Sequence, residues 1–139
     1  LSSIFCDTSG LYALLDRSDL HAPAAVAAWE SLVAGSAALV TTNYVAVETV
    51  ALVQARLGLP AVDGLRAVLD PFVAVHFVDA GLHQAALEQV VALSRRAVSL
   101  VDCASFAFMR QNGVRSAFTF DRHFTEFGFS IVPDATPVR

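Results

Sequence analysis

Short apolar runs alternate along this chain with longer segments in which apolar residues recur every three or four positions. Ile4-Phe5-Cys6 ends abruptly at Asp7-Thr8-Ser9-Gly10, which predicts a buried strand and a turn into a helix over residues 11–16. An Ala-rich segment with Val26, Trp29 and Val33 on one face predicts a second helix over 22–33. A second strand is expected at 37–40. Thr41-Thr42-Asn43 then offers cap residues for a long helix reaching residue 57, stopped by Gly58 and Pro60. A further helix follows over 61–69, and β-branched and aromatic residues over 72–78 read as strand three.

Asp79 is placed to cap a helix over 80–95, and Ser99 to open the next, which ends near Asn112-Gly113. A fourth strand at 116–120, a short helix at 121–127 and a fifth strand at 130–132 complete the pattern. Strands that are apolar on both sides and alternate with helices predict an α/β three-layer sandwich with a mostly parallel five-stranded sheet. The expected organisation is one domain over residues 1–132 and a loose tail over 133–139. In such folds ligands bind beyond the carboxyl ends of the strands, near the switch in strand order.

Composition adds exclusions. With 139 residues, 55% of them hydrophobic and 16% charged, the chain has material for a real core. No apolar run approaches the ~18–20 residues that cross a bilayer. The first residues carry no basic segment ahead of a hydrophobic one, so a cytoplasmic protein is expected. Cys6 and Cys103 sit inside apolar stretches and read as reduced core thiols. All nine basic residues are Arg. The absence of Lys excludes a phosphate loop ending in Gly-Lys, a Schiff base and a lysine general base. It also argues against a phosphoacceptor receiver domain, and against a phosphatase with an aspartyl nucleophile, which Asp7-Thr8-Ser9 fits poorly.

Thirteen acids against nine Arg give a net charge of −4. Four of those acids stand out. Asp7 follows strand one, Asp121 follows strand four, and Asp102 lies three residues after Ser99. Each has an ordinary explanation as an Asx turn or helix cap. Glu48 does not: its helical neighbours Tyr44, Val45, Ala51 and Leu52 turn it inward, with no basic residue within a turn. In a parallel sheet these positions converge on one edge, and crowded carboxylates suit magnesium or manganese better than zinc. The histidines (His21, His76, His83 and His123) show no metal spacing; Asp79 and His83 read as a cap and a surface residue.

The pieces Asp7-Thr8-Ser9, Ser99-Leu100-Val101-Asp102-Cys103 and Thr119-Phe120-Asp121-Arg122-His123-Phe124, with Asn43 five residues before Glu48, resemble the PIN domain family. Within it they are similar to the VapC-type toxins of bacterial toxin–antitoxin pairs, over nearly the whole chain. The resemblance implies a ribonuclease whose acidic quartet falls on Asp7, Glu48, Asp102 and Asp121, supported by hydroxyls at Ser9 and Thr119. It implies magnesium, with manganese as a substitute, a homodimer and an inhibitory antitoxin. Water rather than the RNA 2′-hydroxyl is then the expected nucleophile, leaving 5′-phosphate and 3′-hydroxyl ends.

Arg95, Arg96 and Arg122, close in sequence to two of the acids, are candidates for gripping RNA phosphates; helix-end charge is their other explanation. Leu11, Leu14, Leu15 and Trp29 serve either an ordinary core or a dimer or antitoxin surface. The rival class of function is a catalytically silent RNA- or protein-binding module whose acids act only as caps.

Overall fold

The computed structural model describes residues 2–134; the greater part of the expected tail, 135–139, lies outside the described residues. Five strands, β1 (Ser3–Cys6), β2 (Ala38–Thr42), β3 (Val73–His76), β4 (Ser116–Phe118) and β5 (Ser130–Val132), form one sheet in the order β3-β2-β1-β4-β5. Every pairing is parallel, with Phe5 opposite both Val40 and Ala117. Among the described residues seven helices flank it: α1 (Thr8–Leu15), α2 (Ala22–Ala34), α3 (Asn43–Leu57), α4 (Leu59–Phe72), α5 (Ala80–Leu93), α6 (Leu100–Gln111) and α7 (His123–Glu126). The chain moves outward from β1 through β2 to β3, then crosses to β4 on the other side of β1. The switch point therefore lies between the carboxyl ends of β1 and β4.

Phe5, Phe106, Phe118, Phe124, Leu11 and Met109 form the centre of the core, with Phe106 and Phe124 edge to face at 4.9 Å. Of the four residues weighed as a partner surface, Leu11 is fully buried, and Leu14, Leu15 and Trp29 pack against the core. Both cysteines are buried and unbridged; burial, then the neighbouring Asp7 charge, pushes the Cys6 thiol up to about 12. No helix among the described residues is long and apolar enough to cross a membrane.

The departures from expectation have local causes. Helix α1 begins at Thr8, three residues early, because Gly10 does not make a turn. It lets the helix press on β4: a Cβ there would lie 2.7 Å from the Phe118 carbonyl oxygen. Helix α4 begins at Leu59 because Pro60 is tolerated in a first turn. Strand β3 stops at His76, and the Val78 N–H turns to Asn43 Oδ1 at 2.7 Å. Strand β4 stops at Phe118: the Thr119 N–H still bonds the Val132 carbonyl at 3.1 Å, but the Phe120 and Asp121 N–H groups turn to side chains of the site described below. Helix α5 ends at Leu93, with Ser94 in the left-handed region at φ 52°.

Candidate active site

Asp7 leaves β1 with extended backbone (φ −99°, ψ 160°), and its carbonyl accepts the Leu11 N–H at 3.1 Å, the first bond of α1. Its side chain makes no cap bond. The carboxylate turns instead to β4, where Oδ2 accepts from Thr119 Oγ1 at 2.8 Å and from Ser9 Oγ at 3.2 Å. Thr119 Oγ1 also accepts the Asp121 N–H at 2.9 Å, and Ser9 Oγ accepts the Phe120 N–H at 2.9 Å. The two supporting hydroxyls thus tie the first acid to the loop bearing the last.

Asp7 is 4% exposed. Burial pushes its carboxyl up to about 7, helped by the charges of Asp102 and Asp121 and opposed by the Thr119 hydrogen bond. Asp102 stands in the first turn of α6, in a reciprocal capping box: its Oδ2 accepts the Ser99 N–H at 2.9 Å, and Ser99 Oγ accepts the Asp102 N–H at 3.1 Å. Burial raises its pKa too, against the Ser99 backbone hydrogen bond and with the Asp121 charge. Asp121 Oδ1 accepts the His123 N–H at 2.9 Å.

His123, to which the sequence reading gave no role at the acids, belongs to this cluster. One ligand atom from each of Asp102, Asp121 and His123 lies within 4.8 Å of the others. Its Nδ1 is 2.8 Å from Asp121 Oδ1. The angle does not suit a hydrogen bond, so this buried nitrogen has no hydrogen-bond partner. The signal was the spacing of two after Asp121, hidden because neither residue is at metal-binding helical spacing.

Glu48 departs from its expected deep burial. It is half-buried on α3 and lines the cleft with Leu52, facing residues of α1 and α6 across it. Its neighbour Thr49 holds the helix in place, donating to Thr8 Oγ1 at 3.1 Å or to the Val45 carbonyl at 2.7 Å. Thr42 caps α3 by accepting the Val45 N–H at 3.3 Å.

All four acids line one cleft of about 270 Å³, with Thr8, Ser9, Tyr12, Asp19, His21, Leu52 and Arg56. None of the three arginines singled out in the sequence lines it. Arg95 is held by both carboxylate oxygens of Glu126 on α7, Arg96 is exposed after α5, and Arg122 borders a neighbouring depression beside Thr125 and Asp134. Arg56, not anticipated, does. His83 is also more than a surface residue: its Nδ1 bonds the Tyr44 hydroxyl, while Asp79 caps α5 by accepting the Leu82 N–H at 2.8 Å.

The donor set fits a hard divalent cation. It offers carboxylate oxygens from four acids that are all buried or half-buried, and burial raises the pKa of Asp7 and Asp102. Asp7 keeps Oδ1 free of side-chain donors, since both its side-chain hydrogen bonds fall on Oδ2.

A parallel sheet with acids at its switch point is the layout of a PIN domain, and the chain belongs to that family because the PIN domain profile matches residues 4–130. PIN domains are nucleases, and this chain is an enzyme of that kind. It is 36% identical over 127 residues to the 23S rRNA-specific endonuclease VapC20 of Mycobacterium tuberculosis, in strains CDC 1551/Oshkosh and H37Rv, covering 91% of this chain and 95% of the relative. The crystal structure of VapC20 from that organism, described as a sarcin–ricin loop cleaving toxin, matches with a TM-score of 0.82 over 91% of this chain and 96% of that one, at 35% identity. The fold is shared with FitAcB from Neisseria gonorrhoeae (TM-score 0.62, 14% identity, 92% and 95% covered). It is shared as well with PAE2754 from Pyrobaculum aerophilum (TM-score 0.58, 20% identity, 94% and 90% covered).

Proposed function

We propose that this protein is a magnesium-dependent endoribonuclease that leaves 5′-phosphate and 3′-hydroxyl ends, and that it acts as the toxin of a VapBC-type pair. The observation that carries the reading is the convergence of Asp7, Glu48, Asp102 and Asp121 on one cleft. There the first acid is buried and within range of the charges of two others. Selection for caps alone would not gather repelling carboxylates.

Asp7, Glu48, Asp102 and Asp121 would hold a divalent cation, which would supply positive charge against the phosphate and make water a better nucleophile at neutral pH. The chain's own contribution is to hold the acids still. Thr119 and Ser9 fix Asp7, the Ser99 capping box fixes Asp102, and the His123 N–H fixes Asp121. Manganese is the natural substitute metal, given the all-oxygen acidic set.

The similarity to VapC20 supports a structured ribosomal target, and the sarcin–ricin loop of 23S rRNA is the substrate we assign. It also supports an antitoxin protein as inhibitor; the reading further takes the protein as a cytoplasmic homodimer. The test is incubation of the purified protein with a stem-loop RNA of that sequence, with magnesium or chelator, beside Asp7→Asn. Cleavage that requires both magnesium and Asp7 and leaves 5′ phosphates is expected. Cleavage that persists in chelator, or 2′,3′-cyclic ends, would overturn the mechanism.

A further inference from the structure

Helix α3 runs along the cleft, and the residues it presents there are Glu48, Leu52 and Arg56, spaced by four. At 1.5 Å per residue Arg56 lies about 12 Å along the helix from Glu48, two turns from the acids. It is the one arginine lining the cleft among the described residues. Its guanidinium sits over the Tyr12 ring, 5.4 Å from the centroid, and makes no ion pair among the described residues. The seat is itself fixed: the buried Tyr12 ring is anchored through its hydroxyl to Asp16 Oδ2 at 2.6 Å. By contrast Arg66 pairs with Asp70, Arg95 with Glu126, and Arg110 with the Phe127 carbonyl.

An exposed cation braced on an aromatic face at the mouth of an acidic cleft, in the field of Asp16 but with no carboxylate in ion-pair contact among the described residues, suits an anionic ligand that spans both. We propose that Arg56 is the backbone-phosphate anchor of the RNA, gripping a phosphate displaced from the scissile one; this rests on the ribonuclease reading above. The acids repel the polyanion until a cation covers them, and Arg56 supplies the fixed positive charge at the other end of the cleft. Because the gripped phosphate does not react, the contact is equally strong in the bound substrate and in the transition state. Its loss therefore appears in KM rather than in kcat.

The experiment compares wild type, Arg56→Gln and Arg56→Lys on the sarcin–ricin stem-loop in magnesium. Steady-state cleavage is measured at several salt concentrations, and binding by fluorescence anisotropy in an Asp121→Asn background. Arg56→Gln is expected to raise KM and Kd roughly three- to tenfold, as for a lost solvent-exposed charge contact, with kcat changing far less. The slope of log K against log salt should flatten by about 0.7–0.9, the signature of one phosphate contact removed. Arg56→Lys should recover part of the affinity, keeping the charge but losing the planar stack on Tyr12. If Arg56 serves only the α3 carboxyl terminus, Arg56→Gln will lower Tm and leave Kd and the salt slope unmoved, which overturns the proposal. A wild type that cuts normally beside such a variant sinks this inference alone; a wild type that neither binds nor cuts RNA sinks the ribonuclease reading with it.

Discussion

Asp7→Asn should destroy cleavage and yet stabilise the metal-free protein. An aspartate at 3.8 in the unfolded chain rises to about 7 once buried between β1 and β4. Between those values the folded protein keeps a proton that the unfolded chain has released, so folding takes up a proton and stability falls as pH rises. The stabilising contribution is fully present below 3.8 and lost as pH passes through about 7. Relative to a protonated Asp7, the cost is about 1.7 kcal/mol at pH 5 and about 4 kcal/mol at pH 8. Asparagine carries no titratable group, so its own packing gain or loss is the same at both pH values. The difference between the two proteins should therefore shift toward the variant by about 2.5 kcal/mol from pH 5 to pH 8, whatever that offset is. Asp102 titrates in the same direction in both proteins, and to first order cancels. Urea unfolding in chelator at the two pH values reads the quantity directly. Saturating magnesium should narrow or reverse the gap at pH 8 by stabilising the protein with all four acids more than the variant with three. A gap between wild type and variant that stays flat from pH 5 to pH 8 in chelator would refute the burial argument.

Two further perturbations test the frame around the acids. Thr119→Val keeps the shape but removes the hydroxyl that donates to Asp7 and accepts the Asp121 N–H. It should cost about 1–3 kcal/mol in urea unfolding and roughly 10- to 100-fold in magnesium-dependent cleavage, with Thr119→Ser retaining most of both; a fully active valine variant would remove Thr119 from the support of the site. Gly10→Ala pushes a methyl group to 2.7 Å from the Phe118 carbonyl oxygen and 2.8 Å from its ring. Thermal unfolding should show a loss of about 1–3 kcal/mol, and an unchanged Tm would mean that α1 shifts off β4 without cost.

How much was legible followed from where each signal is encoded. Strand β5 and the opening of α5 and α6 were readable because caps and apolar runs are local: Asp79 and Ser99 announce their helices by side-chain chemistry. The start of α1 was not, because Gly10 reads as a turn residue, and its real duty is set by Phe118, more than a hundred positions away. The same distance hides the Ser9–Thr119 contact at 3.0 Å, although both hydroxyls were flagged by family likeness. Three of the acids were visible as residues following strands or opening a helix. Arg56 was visible only in retrospect, as the position eight after Glu48 on one face of α3. Arg95, Arg96 and Arg122 were chosen for closeness in sequence to Asp102 and Asp121, and sequence closeness does not put a side chain in the cleft. A turn after α5 carries Arg95 to Glu126 on α7.

Cap and metal ligand were weighed as competing explanations of the same acids, and the geometry removes the competition. A carboxylate has two oxygens. Asp102 gives Oδ2 to the capping box, Asp121 gives Oδ1 to the His123 N–H, and Asp7 caps α1 through its backbone carbonyl alone. In Asp102 and Asp121 a hydrogen bond that would suffice for an ordinary cap also fixes the rotamer of a group that must face its like-charged neighbours, and in Asp7 the Thr119 and Ser9 hydroxyls do so. Those donors lower the cost of gathering the charges before any cation arrives, which is what the Thr119 bond does against the burial of Asp7. The Glu48 carboxylate receives no side-chain or backbone hydrogen bond among the described residues, although like Asp102 and Asp121 it is half-buried. The quartet is therefore three oriented carboxylates and one whose place is set by α3 alone. That same helix carries Arg56, so a shift of α3 would move the fourth acid and the proposed phosphate anchor together.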